Sequence, residues 1–291
     1  MPSLKEVRNR IVSIGSTMQI TSAMKMVSAA KLKRAQDAIT QMRPYANKLK
    51  EILENVSASV DSSENVYARN SEGKNVLIIA ISSNRGLAGG FNANIIKKTN
   101  SIIKEKYSNC DVTVLPVGKK VQDAFKRTKY IISGQDIPHH TNEVFDGLSF
   151  NKSLAISEKV MASFVNKQFD KVVLVYNQFK NAAVQVATEE QFLPIESSTE
   201  QGASTGDYIF EPSKEFIISD LIPRSLKTQF YKALLDSVAS EHGARMTAMH
   251  KATDNAKSMQ KDLKIMYNKA RQASITKEIL EIVGGAEALN G

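Results

Sequence analysis

Arg85-Gly86-Leu87-Ala88-Gly89-Gly90 directly follows the apolar run Val76-Leu77-Ile78-Ile79-Ala80-Ile81 and precedes a helical stretch. A glycine-rich turn between a buried strand and a helix is where a doubly wound fold cradles phosphate, because backbone N–H groups point at the anion there. The spacing is neither Gly-x-Gly-x-x-Gly nor a loop closing on Gly-Lys-Ser/Thr. The expectation is therefore a tight turn packed against the rod that the chain's long terminal helices form. His139-His140 follows Pro138 in a polar stretch with no Cys or Asp cluster beside it, so no metal site is expected there. His242 and His250 are eight residues apart on a helix, point about 80° apart, and cannot form a close ligand pair. Cys110 is the single cysteine, which excludes an intrachain disulfide and predicts a buried free thiol. No Ser/His/Asp or Cys/His arrangement is present. The expectation is no catalytic residue, no cofactor and no metal.

The elements that would position such residues are unusual. From Ser3 to about Ser59 the chain reads as one long helix, and a second of more than sixty residues closes the chain. Leu4, Val7, Ile11, Ile14 and Met18 follow three-four spacing. After an expected slip, Ala35, Ala38, Met42, Tyr45, Leu49, Ile52 and Val56 follow it again. Pro44 predicts a kink or local break. Near the other end, Ala252, Ala256, Met259, Leu263, Met266, Ala270 and Ala273 keep the same spacing. Two such helices predict an antiparallel coiled coil on the order of 80–95 Å long. Between them strands and helices alternate. Strands are expected at 76–81, 112–117, 130–132, 171–176 and 183–187, and helices near 94–107, 119–127 and 154–169, which is the pattern of an open α/β sheet. The polar stretches Ser57–Asn75 and Glu196–Gly206 read as connections. Pro212 and Pro223 suit first turns of helices.

The net charge is +9. It is concentrated on the long helices: between Val7 and Gln36 stand Arg8, Arg10, Lys25, Lys31, Lys33 and Arg34, with no acid. Such a surface seeks a polyanion or an acidic protein face. A nucleic-acid partner would meet phosphate contacts only, since no base-reading module is present. A dinucleotide enzyme would have to use the loop at Gly86. No apolar run reaches membrane-span length, and the opening residues predict no leader, so a soluble protein of a reducing compartment is expected.

The C-terminal helix carries Ala239-Ser240-Glu241-His242-Gly243-Ala244-Arg245-Met246 and Tyr267-Asn268-Lys269-Ala270-Arg271-Gln272-Ala273-Ser274-Ile275-Thr276. These stretches resemble the gamma subunit of the F-type proton-translocating ATP synthase. Ile275, Thr276, Glu278, Glu281, Gly285 and Ala286 match that family's C-terminal signature. Ile20 to Val27, Arg43-Pro44-Tyr45, Asn84 to Leu87 with Gly89-Gly90, Asp207-Tyr208 and Glu211-Pro212 also look like the family. Ala88 departs from it, since many relatives carry Cys there. The resemblance covers essentially the whole chain. It implies a long antiparallel coiled coil of the terminal helices (1–60 and 212–291) with an inserted Rossmann-like α/β domain (74–206). It implies no catalytic site of its own, and a role as central rotor shaft coupling proton flow to ATP synthesis or hydrolysis. The implied partners are three alpha and three beta subunits, epsilon, delta and the membrane c-ring, at the cytoplasmic face of a bacterial plasma membrane. By the same resemblance Met24, Lys25, Glu241 and Arg245 lie near a loop of the beta subunits, and Arg271, Gln272 and Thr276 hydrogen-bond one. Ile279, Leu280, Ile282 and Val283 would turn in an apolar sleeve, while Tyr208 and Glu211 would face the c-ring and epsilon.

Overall fold

The computed structural model describes residues 3–59, 66–69, 73–132, 141–195 and 217–290. His139, His140, Tyr208, Glu211, Pro212 and the 196–206 connection lie outside the described residues. The elements in order are α1 (Leu4–Ser59), β1 (Asn75–Ile81), α2 (Phe91–Glu105), β2 (Asp111–Val117), α3 (Lys119–Phe125), a 3-10 turn (Thr141–Phe145), α4 (Phe150–Val165), β3 (Lys171–Phe179), β4 (Gln185–Leu193), a π turn (Ile217–Leu221) and α5 (Ile222–Asn290). Two compact units result: Met1–Ser28 with Met246–Gly291, and Ala29–Arg245.

The larger unit is built on a four-stranded sheet of order β2-β1-β3-β4. β1 pairs in parallel with β2 and β3, and β4 closes the edge antiparallel to β3. The apolar run of β1 is buried from Val76 to Ile81 because both sheet faces are covered. Alternate residues supply the two cores. Leu77, Ile79, Leu174 and Tyr176 pack with Ile156, Val160 and Phe164 of α4 and with Ile222, Leu226 and Phe230 of α5. Ile78, Val114, Val173 and Val175 pack with Ile95 and Ile102 of α2 and with Val121 and Phe125 of α3. The expected strand at 130–132 is only a bridge between Ile131 and Val114. Cys110 is partly exposed at the margin of the second core rather than fully buried.

The seam of α1 differs from the expectation in an instructive way. Val7, Thr21, Ser28, Leu32, Ala35, Ile39, Ala46 and Leu49 are buried, while Leu4, Ile11, Ile14, Met18, Lys25 and Met42 are half-buried. These positions alternate three- and four-residue steps from Leu4 to Leu49 without a slip. Polar Thr21, Lys25 and Ser28 occupy seam positions, which is why apolar spacing alone read as a break. Tyr45 is 48% exposed, and Ala46 takes the seam position instead. The side chain of Val56 is outside the described residues. α1 also runs unbroken through Pro44. Arg43, bonded on one side, and buried Ala46 and Leu49 on the other hold the helical path.

In the smaller unit the outer parts of α1 and α5 form a two-helix antiparallel pair. Thr21 and Thr253 share a hydroxyl hydrogen bond of 2.8 Å. At Gly15 an added Cβ would meet Gln260 Nε2 at 3.1 Å, so the glycine leaves room for that amide. The α5 seam is Met249, Thr253, Ala256, Gln260, Leu263, Tyr267, Ala270 and Ser274, all buried or half-buried. Ala256, Leu263 and Ala270 are as expected, but Met259, Met266 and Ala273 are exposed. Thr21 and Thr253 satisfy one another across the seam, and Met259 and Met266 lie on the outer face of α5. Replacing Ala256 with Asp should therefore cost about 3 kcal/mol or more, by burying an unpaired charge. Met259→Asp, at a side chain 55% exposed, should stay within about 0.5 kcal/mol. Urea unfolding followed by helicity compares the two; equal losses would place Met259 back in the seam.

Candidate functional site

The turn between β1 and α2 sits at the carboxyl end of the central strand, where doubly wound sheets bind ligands. Here its polarity is reversed. A phosphate cradle points N–H groups inward, but this loop turns carbonyls toward a cation. Arg245 of α5 donates from Nη2 to Arg85 O and Gly86 O, both at 3.2 Å, and from Nε to Gly86 O at 3.3 Å. Ser83, just before the loop, ties it down locally: its N–H reaches Asn92 Oδ1 at 3.0 Å, and its Oγ donates to Arg85 O at 2.6 Å. Ala88 and Phe91 pack on Ala244. At Gly243 a Cβ would lie 3.2 Å from the Ala182 backbone, so α5 lies tight against the turn after β3 as well. The crevice used elsewhere for a nucleotide is filled by this chain's own helix, as a packed turn requires.

The guanidinium is itself buried. Arg245 Nη1 donates to Glu241 Oε1 at 2.7 Å, one helical turn back, and lies 3.5 Å from His242 Nδ1. Burial raises the Glu241 carboxyl, while Arg245, Lys31 and Arg85 pull it down. Burial, followed by the charges of Arg245 and Lys31, lowers His242 to about 4. His242 is thus neutral at pH 7 and able to accept at Nδ1. The unfolded chain takes up that proton near 6.5, so the stability His242 contributes is full above pH 6.5 and is lost as pH falls toward 4. His242→Gln should flatten the fall in melting temperature between pH 6.5 and 4 relative to the unmodified chain. Parallel curves would show that His242 carries no such linkage.

A second buried charge had no signal in the sequence. Arg43 of α1 donates to Asp236 Oδ1 at 3.1 Å and to Phe179 O at 2.9 Å. Asp236 is fully buried, its other oxygen has no partner, and burial raises its pKa against the opposing pull of Arg43. The partners stand 136 and 193 residues from Arg43, beyond any local spacing.

The remaining candidates fall in the smaller unit. Met24 and Lys25 are half-buried, Lys25 at a seam position. Arg271, Gln272 and Thr276 are exposed on α5, and the Thr276 hydroxyl donates to Gln272 O at 2.9 Å, joining those two residues on one turn. Beyond Ser274 no residue through Ala288 is buried, and a Cβ at Gly284 or Gly285 would meet nothing within 4 Å. Ile279, Leu280, Ile282 and Val283 are consequently bare, Leu280 at 65% and Ile282 at 71%. These consecutive apolar turns take no part in a core of this chain. The basic run on α1 is modified by one pair, since Arg10 donates to Glu6 at 2.8 Å just outside the acid-free window. His250 sits 3.4 Å from Asp254, exposed on the helix surface. Among the described residues no group of three His, Cys, Asp or Glu is arranged to hold a metal, and no helix is long and apolar enough to cross a membrane.

Comparison with known proteins agrees with this arrangement along the whole chain. The family model described as ATP synthase matches residues 3–289. The ATP synthase gamma chain of Christiangramia forsetii is 59% identical over all of both chains, and that of Flavobacterium johnsoniae 56% identical, again over all of both. A chain of the Euglena gracilis mitochondrial ATP synthase OSCP/F1/c-ring structure, in rotational state 3, superposes with a TM-score of 0.67. It covers 98% of this chain and 94% of that one at 20% identity, and so shares the fold. Paired terminal helices, an inserted sheet whose ligand crevice is closed, and these full-length matches together place the chain in the ATP synthase gamma-chain family.

Proposed function

We propose that this chain is the central shaft of an F-type ATP synthase. It transmits rotation between a membrane c-ring and a catalytic ring of three alpha and three beta subunits, with epsilon and delta in the same complex. The observation that carries the reading is the end of α5, where a polar patch of Arg271, Gln272 and Thr276 gives way to bare Ile279, Leu280, Ile282 and Val283. A helix that exposes consecutive apolar turns needs a sleeve. An apolar sleeve makes few directional bonds, so a shaft turning in it meets low barriers. The polar patch just before it suits a reversible catch on one beta subunit, strong enough to hold and weak enough to release.

Met24 and Lys25 face a beta-subunit loop, and the basic residues of α1 answer an acidic partner surface. Tyr208 and Glu211 serve the contact with the c-ring and epsilon. On this reading the chain has no catalytic site of its own and takes no cofactor; in support, the glycine-rich loop after β1 accepts hydrogen bonds from the chain's own Arg245. It works on the cytoplasmic face of a bacterial plasma membrane, held there through its complex.

Co-expression with alpha and beta subunits tests this. A stable complex that hydrolyses ATP should form, whereas the purified chain alone should hydrolyse none above background. Turnover by the isolated chain, lost on changing Arg85, would refute the reading.

A further inference from the structure

Leu87 has a backbone φ of +60°, a left-handed conformation that a branched side chain adopts at a cost. Its side chain is 63% exposed and takes no place in either core. Packing of Leu87 therefore does not explain the strained backbone. What holds it is on both sides. Before it, the Arg85 and Gly86 carbonyls accept from buried Arg245. After it, Ala88 and Phe91 pack on Ala244, and Gly89 also has positive φ. The guanidinium spends its hydrogen-bonding capacity on those two carbonyls, Glu241 and the His242 ring. Little of Arg245 is left to meet another protein.

We infer that Arg245 is a positioning residue: clamped by Glu241, it fixes the turn so that Leu87 projects at one place toward a ring subunit, and it affects coupling through that turn. The partner surface is an apolar recess for Leu87, with acid beside it for Arg85. This rests on the rotor reading and refines the beta-loop role that the family resemblance gave Glu241 and Arg245. Strain of this kind persists where the surroundings over-determine it and where a fixed display is used.

The test compares Arg245→Ala, Leu87→Asn and the double variant in the assembled complex, measuring ATP turnover and hydrogen exchange of the amides from Leu87 to Gly90. Asn tolerates the left-handed backbone, so Leu87→Asn removes the knob and keeps the turn. Arg245→Ala should lower turnover about tenfold, the loss of one buried apolar side-chain contact of about 1.5 kcal/mol, and speed exchange in the turn. Leu87→Asn should lower turnover similarly with exchange unchanged. The double variant should be no slower than Arg245→Ala, because both changes remove one contact. If Arg245→Ala blocks assembly, Arg245→Lys carries the same comparison, since a single ammonium lacks the planar fork. Slower turnover with unchanged exchange, or a double variant as slow as the two effects multiplied, would overturn the inference and make Arg245 a direct contact. Normal turnover in all variants would also overturn it. Those outcomes leave the rotor reading standing, whereas failure of the unmodified chain to join the ring would strike that reading instead.

Discussion

Changing Arg271 and Gln272 together to Ala should cut ATP turnover of the assembled complex roughly ten- to a hundredfold while leaving assembly nearly unchanged. Both side chains are exposed, on the outer face between the last seam positions Ala270 and Ser274, so neither holds the fold. Charge-assisted hydrogen bonds contribute about 1.5–3 kcal/mol each, and each 1.4 kcal/mol is a factor of ten. Binding in an assembly this large is spread over many contacts, so the loss should fall on the step at which the catch engages. Turnover per assembled complex and yield of complex are measured on one preparation. Unchanged turnover would reduce the patch to ordinary helix surface.

Gly118→Ala should be strongly destabilising for a single added methyl group. Gly118 stands between β2 and α3 with φ of +113°, and a Cβ there would lie 2.2 Å from Ser82 O. Ser82 cannot yield, because its N–H donates to Val117 O and its hydroxyl accepts from Val121 N. Gly118 N–H itself donates to Asn142 Oδ1, tying the turn to the 3-10 segment. The strained backbone and the clash together should cost about 3–5 kcal/mol. A midpoint within experimental error of the unmodified chain in thermal or urea unfolding would refute this packing of β1 against β2.

The central sheet was legible because its strands are buried on both faces and therefore apolar at every position, as β1 shows. The two long helices were legible from their length. Their seams were only half legible. The same three-four spacing fits more than one face of a helix rich in Ala and Met, and the choice between Met259 and Gln260, or Tyr45 and Ala46, is made by the partner helix. Thr21 and Thr253 belong to the seam because each supplies the other's hydrogen bond, which no single helix reveals. The site divides in the same way. The exposed end of α5 was visible from its matched motif. Arg245 was visible as a matched position, but its bonds to Arg85 O and Gly86 O were not, because nothing local announces that a turn 159 residues away offers it carbonyls. The Arg43–Asp236 pair was hidden for the same reason.

Rotation is the most direct test. With Cys110 changed to Ser, a cysteine placed at exposed Arg127 can carry a visible particle on the assembled, surface-held complex. On adding ATP the particle should turn continuously in one direction and stop when ATP is withdrawn. Steady ATP hydrolysis by complexes whose particles only swing back and forth would contradict the shaft.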